Sequence, residues 1–247
     1  MTLRPPGRCG RRCAFGLFAA PIQDLTRPSD KAVSAMERAF WSTPYLANLD
    51  AEVLAIDGRE VVISPTIFFA ESGGQESDRG TIGGIEVEQA RIVDDRIVYR
   101  LAAEPDFSVG DQVAVAIDWP RRYALMRLHF AAEIVLELFY KKFPAMEKVG
   151  AHIGQSKARI DFAFQGNISR HFPEIERDVA QLVAADLPIE SRFTDAARLR
   201  RCWSIAGFAQ VPCGGTHLRS TAEVGRIRLK RNNIGAHKER VEIYLMD

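Results

Sequence analysis

The sequence predicts an α+β protein in which a small antiparallel β-barrel precedes a second domain of mixed helices and strands. Short alternating strands follow one another closely between residues 46 and 118, a spacing typical of a small barrel. After Pro120, helical and strand patterns mix without regular βαβ spacing, which indicates an α+β domain. We therefore predict a barrel domain over residues 40–119 and an α+β domain over residues 120–247.

The charge distribution supports a boundary near residue 120. Residues 40–120 hold 5 Lys or Arg and 15 Asp or Glu, whereas residues 121–247 hold 21 and 14. A basic second half is compatible with a polyanionic partner such as nucleic acid, but two ordinary domains of opposite charge would give the same pattern.

Composition narrows the class of protein further. No stretch approaches the ~20 apolar residues of a membrane span, so we predict no membrane partner. Four cysteines in 247 residues are too few for a disulfide scaffold, and we predict a cytoplasmic protein. Residues 1–39 hold 7 basic and 3 acidic residues, with several Pro and Gly, and we predict a disordered, atypical extension there. We hypothesise that Met36 is the native start, which mass spectrometry of the native N-terminus tests.

Three hairpins and a final strand make up the predicted barrel. Asp57-Gly58 between two alternating runs is a strong hairpin signal. In the last strand, Val113, Val115 and Ile117 alternate with polar residues, so we expect them to point inward. The predicted segments are 51–56 with 60–63, 81–87, 91–99 and 112–118.

The second half contains two clear helices. The run Arg121–Lys142 lacks an interior Gly or Pro and precedes Pro144, which indicates a helix that ends near residue 142. Pro173–Ala185 is amphipathic and has Pro in its first turn. We also predict a short helix over Asp195–Arg201. Strands are predicted over 158–164, 188–193, 225–230 and 240–245.

The segment Cys213-Gly214-Gly215-Thr216-His217 is the sharpest local motif. Thiolate sulfur and imidazole nitrogen are preferred zinc ligands, and the two glycines permit a tight turn with close backbone approach. Two ligands alone do not hold a zinc ion. A buried free cysteine beside a turn, with a surface histidine, would have the same spacing.

A second pair of potential ligands lies on the long helix. His129 and Glu133 are four residues apart, so their side chains lie on one helical face and can converge on one point. Both residue types are zinc ligands. The alternative is a solvated helix face, because Arg122 and Glu137 fall on the same stripe.

Other segments offer polar or basic side chains. Gly73-Gly74-Gln75 with Ser77-Asp78-Arg79-Gly80 forms a loop that presents Gln75 and Asp78, to a ligand or simply as a turn. Gln155 precedes a strand and is either a substrate-binding or a surface residue. Basic residues of the last fifty positions form either a phosphate-binding surface or a solvated strand face; the phosphate contacts we predict are Arg219, Arg228, Lys230 and Lys238.

Taken together, these motifs resemble those of the AlaX-type alanyl-tRNA editing proteins, freestanding relatives of the alanyl-tRNA synthetase editing domain. The resemblance covers roughly residues 40–247, and Cys-Gly-Gly-Thr-His is its most specific part. The matching motifs are Ser72-Gly73-Gly74-Gln75, Ser77-Asp78-Arg79-Gly80, Arg127-Leu128-His129, His152-Ile153-Gly154-Gln155, Arg159-Ile160-Asp161-Phe162 and Val211-Pro212-Cys213-Gly214-Gly215-Thr216-His217.

The resemblance implies a β-barrel followed by an α+β editing domain with one zinc ion. It implies an aminoacyl-tRNA deacylase that hydrolyses the ester joining serine or glycine wrongly to alanine tRNA. The family's ligands match His129, Cys213 and His217, but Glu133 replaces the second helix histidine. Glu133 is then either a fourth ligand or the base that acts on a metal-bound water. Two further departures are Phe130, where the family often has Thr, and Ser72 in place of the first loop glycine.

The expected mechanism assigns roles to the remaining residues. Zinc would polarise the ester carbonyl, and the N–H groups of Gly214 and Gly215 would stabilise the oxyanion. Gln75 and Gln155 would orient the aminoacyl group, and Thr216 would bond the substrate or cap the turn. Two alternatives stay open: a tRNA-binding relative without catalysis, and a zinc hydrolase acting on another ester or amide. The sequence leaves open whether the protein is a monomer or a dimer.

Overall fold

A computed structural model describes residues 36–197 and 199–246 of the chain. Six antiparallel strands form a closed barrel in the order β1-β2-β5-β4-β3-β6. The strands are β1 (Asn48–Asp57), β2 (Glu60–Ser64), β3 (Gly80–Ile82), β4 (Ile85–Val93), β5 (Arg96–Leu101) and β6 (Gln112–Ile117).

The three predicted hairpins and the final barrel strand are confirmed. Gly58, with a φ of 54°, forms the turn between β1 and β2, a backbone conformation that glycine adopts at little cost. On β6, Val113, Val115 and Ile117 point into the barrel and are buried. On β6, the alternation of apolar and polar residues therefore predicted correctly which face of the strand is buried.

The long helix α2 (Trp119–Lys142) follows the barrel directly. Asp118 caps its N-terminus by accepting a hydrogen bond from the Arg121 N–H at 3.1 Å, and Pro120 occupies the first turn. Lys141 and Lys142 lie in the last turn, where cations complement the helix dipole. The helix runs through the centre of a second hydrophobic core and positions His129 and Glu133 one turn apart.

Two sheets and a shorter helix complete the second core. The helix predicted over Pro173–Ala185 is confirmed as α3 (Phe172–Ala184). A four-stranded sheet, with the order β12-β13-β8-β7, packs on both α2 and α3. A three-stranded sheet has the order β11-β10-β9. The remaining elements are α1 (Ala39–Ser42), β7 (Glu147–Ile153), β8 (Ala158–Ala163), α3 (Phe172–Ala184), β9 (Glu190–Asp195), β10 (Arg200–Ile205), β11 (Ala209–Pro212), β12 (Ile227–Asn233) and β13 (Lys238–Leu245).

The predicted short helix over Asp195–Arg201 is wrong. β9 ends at Asp195 and β10 begins at Arg200, so this segment is the turn of a hairpin. Leu199 has a φ of 52°, which is incompatible with a right-handed helix. Cross-strand pairing of the flanking residues outweighs the local preference of the two alanines and the arginines for helix. Sequence analysis also missed α1, β7, β10 and β11.

A buried ion pair joins the barrel to α2. Asp78, in the loop before β3, pairs with the fully buried guanidinium of Arg122, and it also accepts the N–H of Phe69. Arg122 donates further to the backbone carbonyl of Pro44. All described residues belong to one compact unit, and the predicted division into domains stays a prediction. Most of the predicted N-terminal extension lies outside the described residues.

Within the part of the chain that the structure describes, the length and hydropathy of the helices rule out a membrane-crossing helix.

Candidate metal centre and its two cavities

Three potential metal ligands meet between α2 and the loop after β11. The Nε2 atoms of His129 and His217 lie 3.2 Å and 3.3 Å from the Sγ atom of Cys213. The ligand atoms of all three residues lie within 4.8 Å of one another. The structure thus brings together side chains that are 84 residues apart in sequence, and the solvated-face alternative for His129 is wrong because His129 is buried.

This donor set fits a zinc ion. With Zn–S near 2.3 Å and Zn–N near 2.0 Å, tetrahedral ligand atoms are roughly 3.5 Å apart. The two nitrogen–sulfur distances of 3.2 Å and 3.3 Å are close to that value. The Nδ1 atom of His217 is hydrogen-bonded to Ser191 Oγ at 2.8 Å, which leaves Nε2 directed at the cluster.

Burial controls the protonation of the cluster. It raises the pKa of the Cys213 thiol to about 12, and the carboxylate of Glu133 acts in the same direction. It lowers the pKa of His129, and it lowers the pKa of His217 still further, where the charges of His129 and Arg201 add to the effect. Both imidazoles therefore stay neutral, as metal ligands must be. A bound cation would favour the thiolate that burial disfavours.

Glu133 lies at the edge of the cluster. Its Oε1 atom is 3.7 Å from His129 Nε2 and 3.9 Å from Cys213 Sγ. Its Oε2 atom accepts a hydrogen bond from the buried Trp203 indole at 3.3 Å. Trp203 thereby fixes the orientation of the carboxylate, with one oxygen directed at the cluster.

Two side chains, those of Trp41 and Arg201, form hydrogen bonds to the backbone of the loop that carries Cys213 and His217. Trp41 Nε1 donates to the Gly214 carbonyl at 2.8 Å, and Arg201 donates to the Gly215 carbonyl at 3.1 Å. Arg201 also donates to the Trp41 carbonyl, so the two bracing residues are themselves connected. The peptides on both sides of Gly215 are therefore held in place.

Gly215 has a steric reason to be glycine. A Cβ atom at this position would lie 2.6 Å from His129 Cε1 and 2.8 Å from His129 Nε2. Gly214, by contrast, has open space at the corresponding position. The second glycine of the motif is thus needed for the imidazole to reach the thiol.

A cavity of about 340 Å³, which we call the reactive cavity, opens onto the cluster. His129, Glu133 and Cys213 lie in its wall, and Arg38 and Lys148 are its lining cations. Ser72 and Gly73 also line it, so the barrel loop contributes to the wall. Most of the remaining lining is apolar: Phe40, Trp41, Phe69, Ile97, Ala132, Leu136, Ile153 and Ile160.

A second cavity of about 490 Å³, which we call the cationic cavity, lies on the other side of Trp41 and His217. Its lining includes Arg201, Arg219 and Tyr45, and no carboxylate lies among its described lining residues. Trp41 lines both cavities and His217 belongs to the cluster, so the cationic cavity adjoins the reactive one.

Three predicted polar residues lie away from the lining of both cavities. Asp78 is fully committed to Arg122 and to the Phe69 N–H, which gives it a structural role rather than the predicted contact with substrate. The Gln155 amide accepts a hydrogen bond from Arg121 at 3.1 Å. Gln75 is 1% exposed, and neither atom of its amide has a hydrogen-bond partner among the described residues.

Two residues of the predicted site are packed behind it. Thr216 is 1% exposed, and its hydroxyl has no hydrogen-bond partner among the described residues. Phe130 is fully buried, with its ring centroid 5.1 Å from that of Trp203 and 6.0 Å from that of His217. The departure at Phe130 therefore changes the packing behind the cluster and not the lining of the reactive cavity.

The four predicted phosphate contacts do not form one patch. Arg219 lies beside Tyr45 in the cationic cavity, whereas Arg228, Lys230 and Lys238 lie on the β12–β13 hairpin. All four are exposed, and none forms an ion pair with a carboxylate of residues 36–197 or 199–246.

Sequence analysis missed Trp41, Ser191 and Arg201. Each acts through a hydrogen bond to a backbone carbonyl or to an imidazole, and none belongs to a motif whose spacing indicates that contact. The aromatic run Phe40-Trp41 before the first barrel strand was the only available signal, and it does not indicate a partner.

Comparisons with known proteins match both halves of the chain. A family model described as class II (A) tRNA synthetases matches residues 26–121. A second, the threonyl and alanyl tRNA synthetase second additional domain, matches residues 203–242.

Individual relatives cover most of the chain. It is 29% identical over 225 residues to the alanyl-tRNA editing protein AlaX-M of Pyrococcus horikoshii, which covers 86% of this chain and 99% of that protein. It is 31% identical over 225 residues to AlaX-L of the same organism, covering 79% of this chain and 54% of that protein. An alanine–tRNA ligase of Methanococcus maripaludis is 31% identical over 237 residues, but the chain spans only 26% of that ligase.

The fold and the matches define a protein built from a synthetase-type barrel and the second additional domain that threonyl and alanyl synthetases share. Over most of its length the chain is similar to AlaX-type alanyl-tRNA editing proteins. The resemblance found in the sequence motifs is confirmed.

Proposed function

We propose that this protein is a zinc-dependent hydrolase that removes serine or glycine from wrongly charged alanine tRNA in trans. The observation that carries the proposal is the convergence of His129, Cys213 and His217 at the wall of a cavity large enough for an aminoacyl ester. The relatives named as alanyl-tRNA editing proteins support the substrate class.

His129, Cys213 and His217 would hold the zinc ion. Zinc bound there would act as a Lewis acid on the ester carbonyl and make an attacking water more acidic. We propose that Glu133 is the general base rather than a fourth ligand. Its Oε1 faces the cluster at 3.7 Å and 3.9 Å from two of the ligand atoms, while Trp203 holds the other oxygen. These distances also suit a fourth ligand, so metal analysis of Glu133→Gln is what separates the two roles.

The backbone of the loop supplies an oxyanion donor. The Gly215 N–H faces the Cys213 sulfur, where it lowers the pKa of the thiol and so partly offsets burial. We therefore assign the oxyanion contact to the Gly214 N–H. Trp41 donates a hydrogen bond to the carbonyl of the same residue, which belongs to the next peptide. Neither Gln75 nor Gln155 lines the cavity, so we assign neither of them a contact with the aminoacyl group.

The test is incubation of the purified protein with alanine tRNA charged with serine, glycine or alanine, with and without a chelator, together with metal analysis. We expect one zinc ion per chain, release of serine and glycine, and sparing of alanine. Zinc binding without deacylation of any aminoacyl-tRNA would favour a hydrolase of another ester or amide. Absence of both metal and turnover would favour a binding protein without catalysis.

Two ligand variants and a matched cysteine control sharpen this test. His129→Ala and Cys213→Ala should each lose the metal and lower deacylation by at least about 10²-fold. Cys202→Ala removes a buried cysteine of β10 that is not in the cluster, and it should retain one zinc ion per chain. Retention of metal by Cys213→Ala would contradict the proposed ligand set.

A further inference from the structure

We propose that the cationic cavity binds the phosphate and the base of the unpaired nucleotide that precedes the terminal adenosine of the tRNA. The inference rests on the proposed function, because it assigns this cavity to the same substrate. It concerns a part of the substrate that takes no part in the bond being hydrolysed.

The charge of the cavity favours a phosphate. Arg201 and Arg219 are its two lining guanidiniums, and no carboxylate is among its described lining residues. Arg201 is held by the carbonyls of Trp41 and Gly215. Arg219 is exposed, and its backbone N–H donates to the Glu223 carboxylate at 2.9 Å. No carboxylate in the described part of the chain pairs with its guanidinium, which is therefore available for a phosphate.

Tyr45 supplies a fixed aromatic surface in the same cavity. The guanidinium of Arg219 lies 4.2 Å from the centroid of the Tyr45 ring, and the Trp119 ring packs against Tyr45 at 5.6 Å. The Tyr45 hydroxyl is hydrogen-bonded to the carboxylate of Glu223 at 2.7 Å and accepts the Arg219 N–H at 3.0 Å. Unpaired bases stack on tyrosine rings and on guanidinium planes without regard to sequence.

The position of the cavity relative to the cluster matches the order of groups along the substrate. Trp41 and the loop bearing His217 lie between the cationic cavity and the reactive one. When the ester of the terminal adenosine lies at the cluster, the preceding nucleotide must lie in an adjoining space. The reactive cavity has lining cations of its own, Arg38 and Lys148, but its wall also carries the carboxylate of Glu133 beside the cluster. The described lining of the cationic cavity has no carboxylate, so it is the more favourable of the two for that phosphate.

The test compares two substrates of different length. One is adenosine carrying a seryl ester, and the other is the trinucleotide CCA carrying the same ester on its terminal adenosine. Only the second has a nucleotide that reaches the cationic cavity. For Arg219→Ala and for Tyr45→Leu, we expect the ratio of kcat/KM on the trinucleotide to kcat/KM on the nucleoside to fall about tenfold, mainly through KM. Arg177→Ala, which removes an exposed arginine of α3 beside Asp178, should leave the ratio unchanged.

A binding measurement with uncharged CCA trinucleotide separates this inference from the proposed function. Its affinity, followed by tryptophan fluorescence, should weaken about tenfold in Arg219→Ala and stay at the level of the unmodified protein in Arg177→Ala. This readout does not depend on hydrolysis, so it holds even if no ester is cleaved. Equal affinities in Arg219→Ala and the unmodified protein, or equal losses on both ester substrates, would overturn the proposal.

Discussion

The two cavities that meet at Trp41 each have two lining cations, but they differ in their other polar groups. The reactive cavity is mainly apolar and contains a thiol, an imidazole and a carboxylate. The cationic cavity contains two guanidiniums and a tyrosine, and its described lining has no carboxylate.

Under the proposed function, bond cleavage and binding of the preceding nucleotide would take place in different cavities, on the two sides of the loop that carries His217. An apolar environment strengthens electrostatic interactions, and burial lowers the pKa values of His129 and His217 so that both imidazoles are neutral. A phosphate is favoured by an exposed guanidinium that no described carboxylate pairs with, and Arg219 of the other cavity is such a group. Substitutions in the first should therefore affect any seryl ester, whereas those in the second should affect only substrates with more than one nucleotide.

The largest effect is expected from Glu133→Gln. This change keeps an oxygen that can accept the Trp203 indole N–H but removes the carboxylate, so a general base is lost without loss of packing. Because general-base catalysis contributes ~10²–10⁴-fold, we expect kcat on seryl-adenosine to fall by about 10²-fold or more with metal retained. Metal analysis beside the kinetics separates the two roles: loss of zinc would identify Glu133 as a ligand, and unchanged turnover would contradict both roles.

A smaller effect is expected from Gly215→Ala. The added methyl group would lie 2.6 Å from the His129 ring and displace the imidazole from the thiol. Changes that misorient a metal ligand cost ~10–100-fold in metal affinity, and we expect a loss in that range by titration with zinc. Gly214→Ala is the matched control, since its methyl group meets no atom within 4 Å. Equal affinities of the two variants would show that His129 does not depend on this close approach.

The smallest effect is expected from Trp41→Phe, at the wall that the cavities share. The change removes the indole N–H that the Gly214 carbonyl accepts but keeps a ring for the guanidiniums of Arg38 and Arg201. We expect kcat on seryl-adenosine to fall about tenfold with little change in KM, and the visible spectrum of a cobalt-substituted protein to shift. Trp119→Phe, whose ring packs on Tyr45, controls for the loss of an indole. A change in KM alone would place Trp41 in substrate binding instead.

Local patterns determined the elements that surround the site. The alternation of Val113, Val115 and Ile117 and the Asp57-Gly58 turn specified barrel strands, since both signals act within a few residues. The same locality made the Asp195–Arg201 prediction wrong, because pairing between β9 and β10 decides that segment.

For the site, the motif spacing by itself determined which side chains are potential ligands: His129 and Glu133 one helical turn apart, and Cys213 and His217 across two glycines. Only the tertiary structure decided that these pairs meet, that Asp78 serves Arg122 and that Trp41 and Arg201 brace the loop. The physical reason is that ligand spacing on a helix or turn is fixed by backbone geometry, whereas a contact between distant segments depends on how the whole core packs.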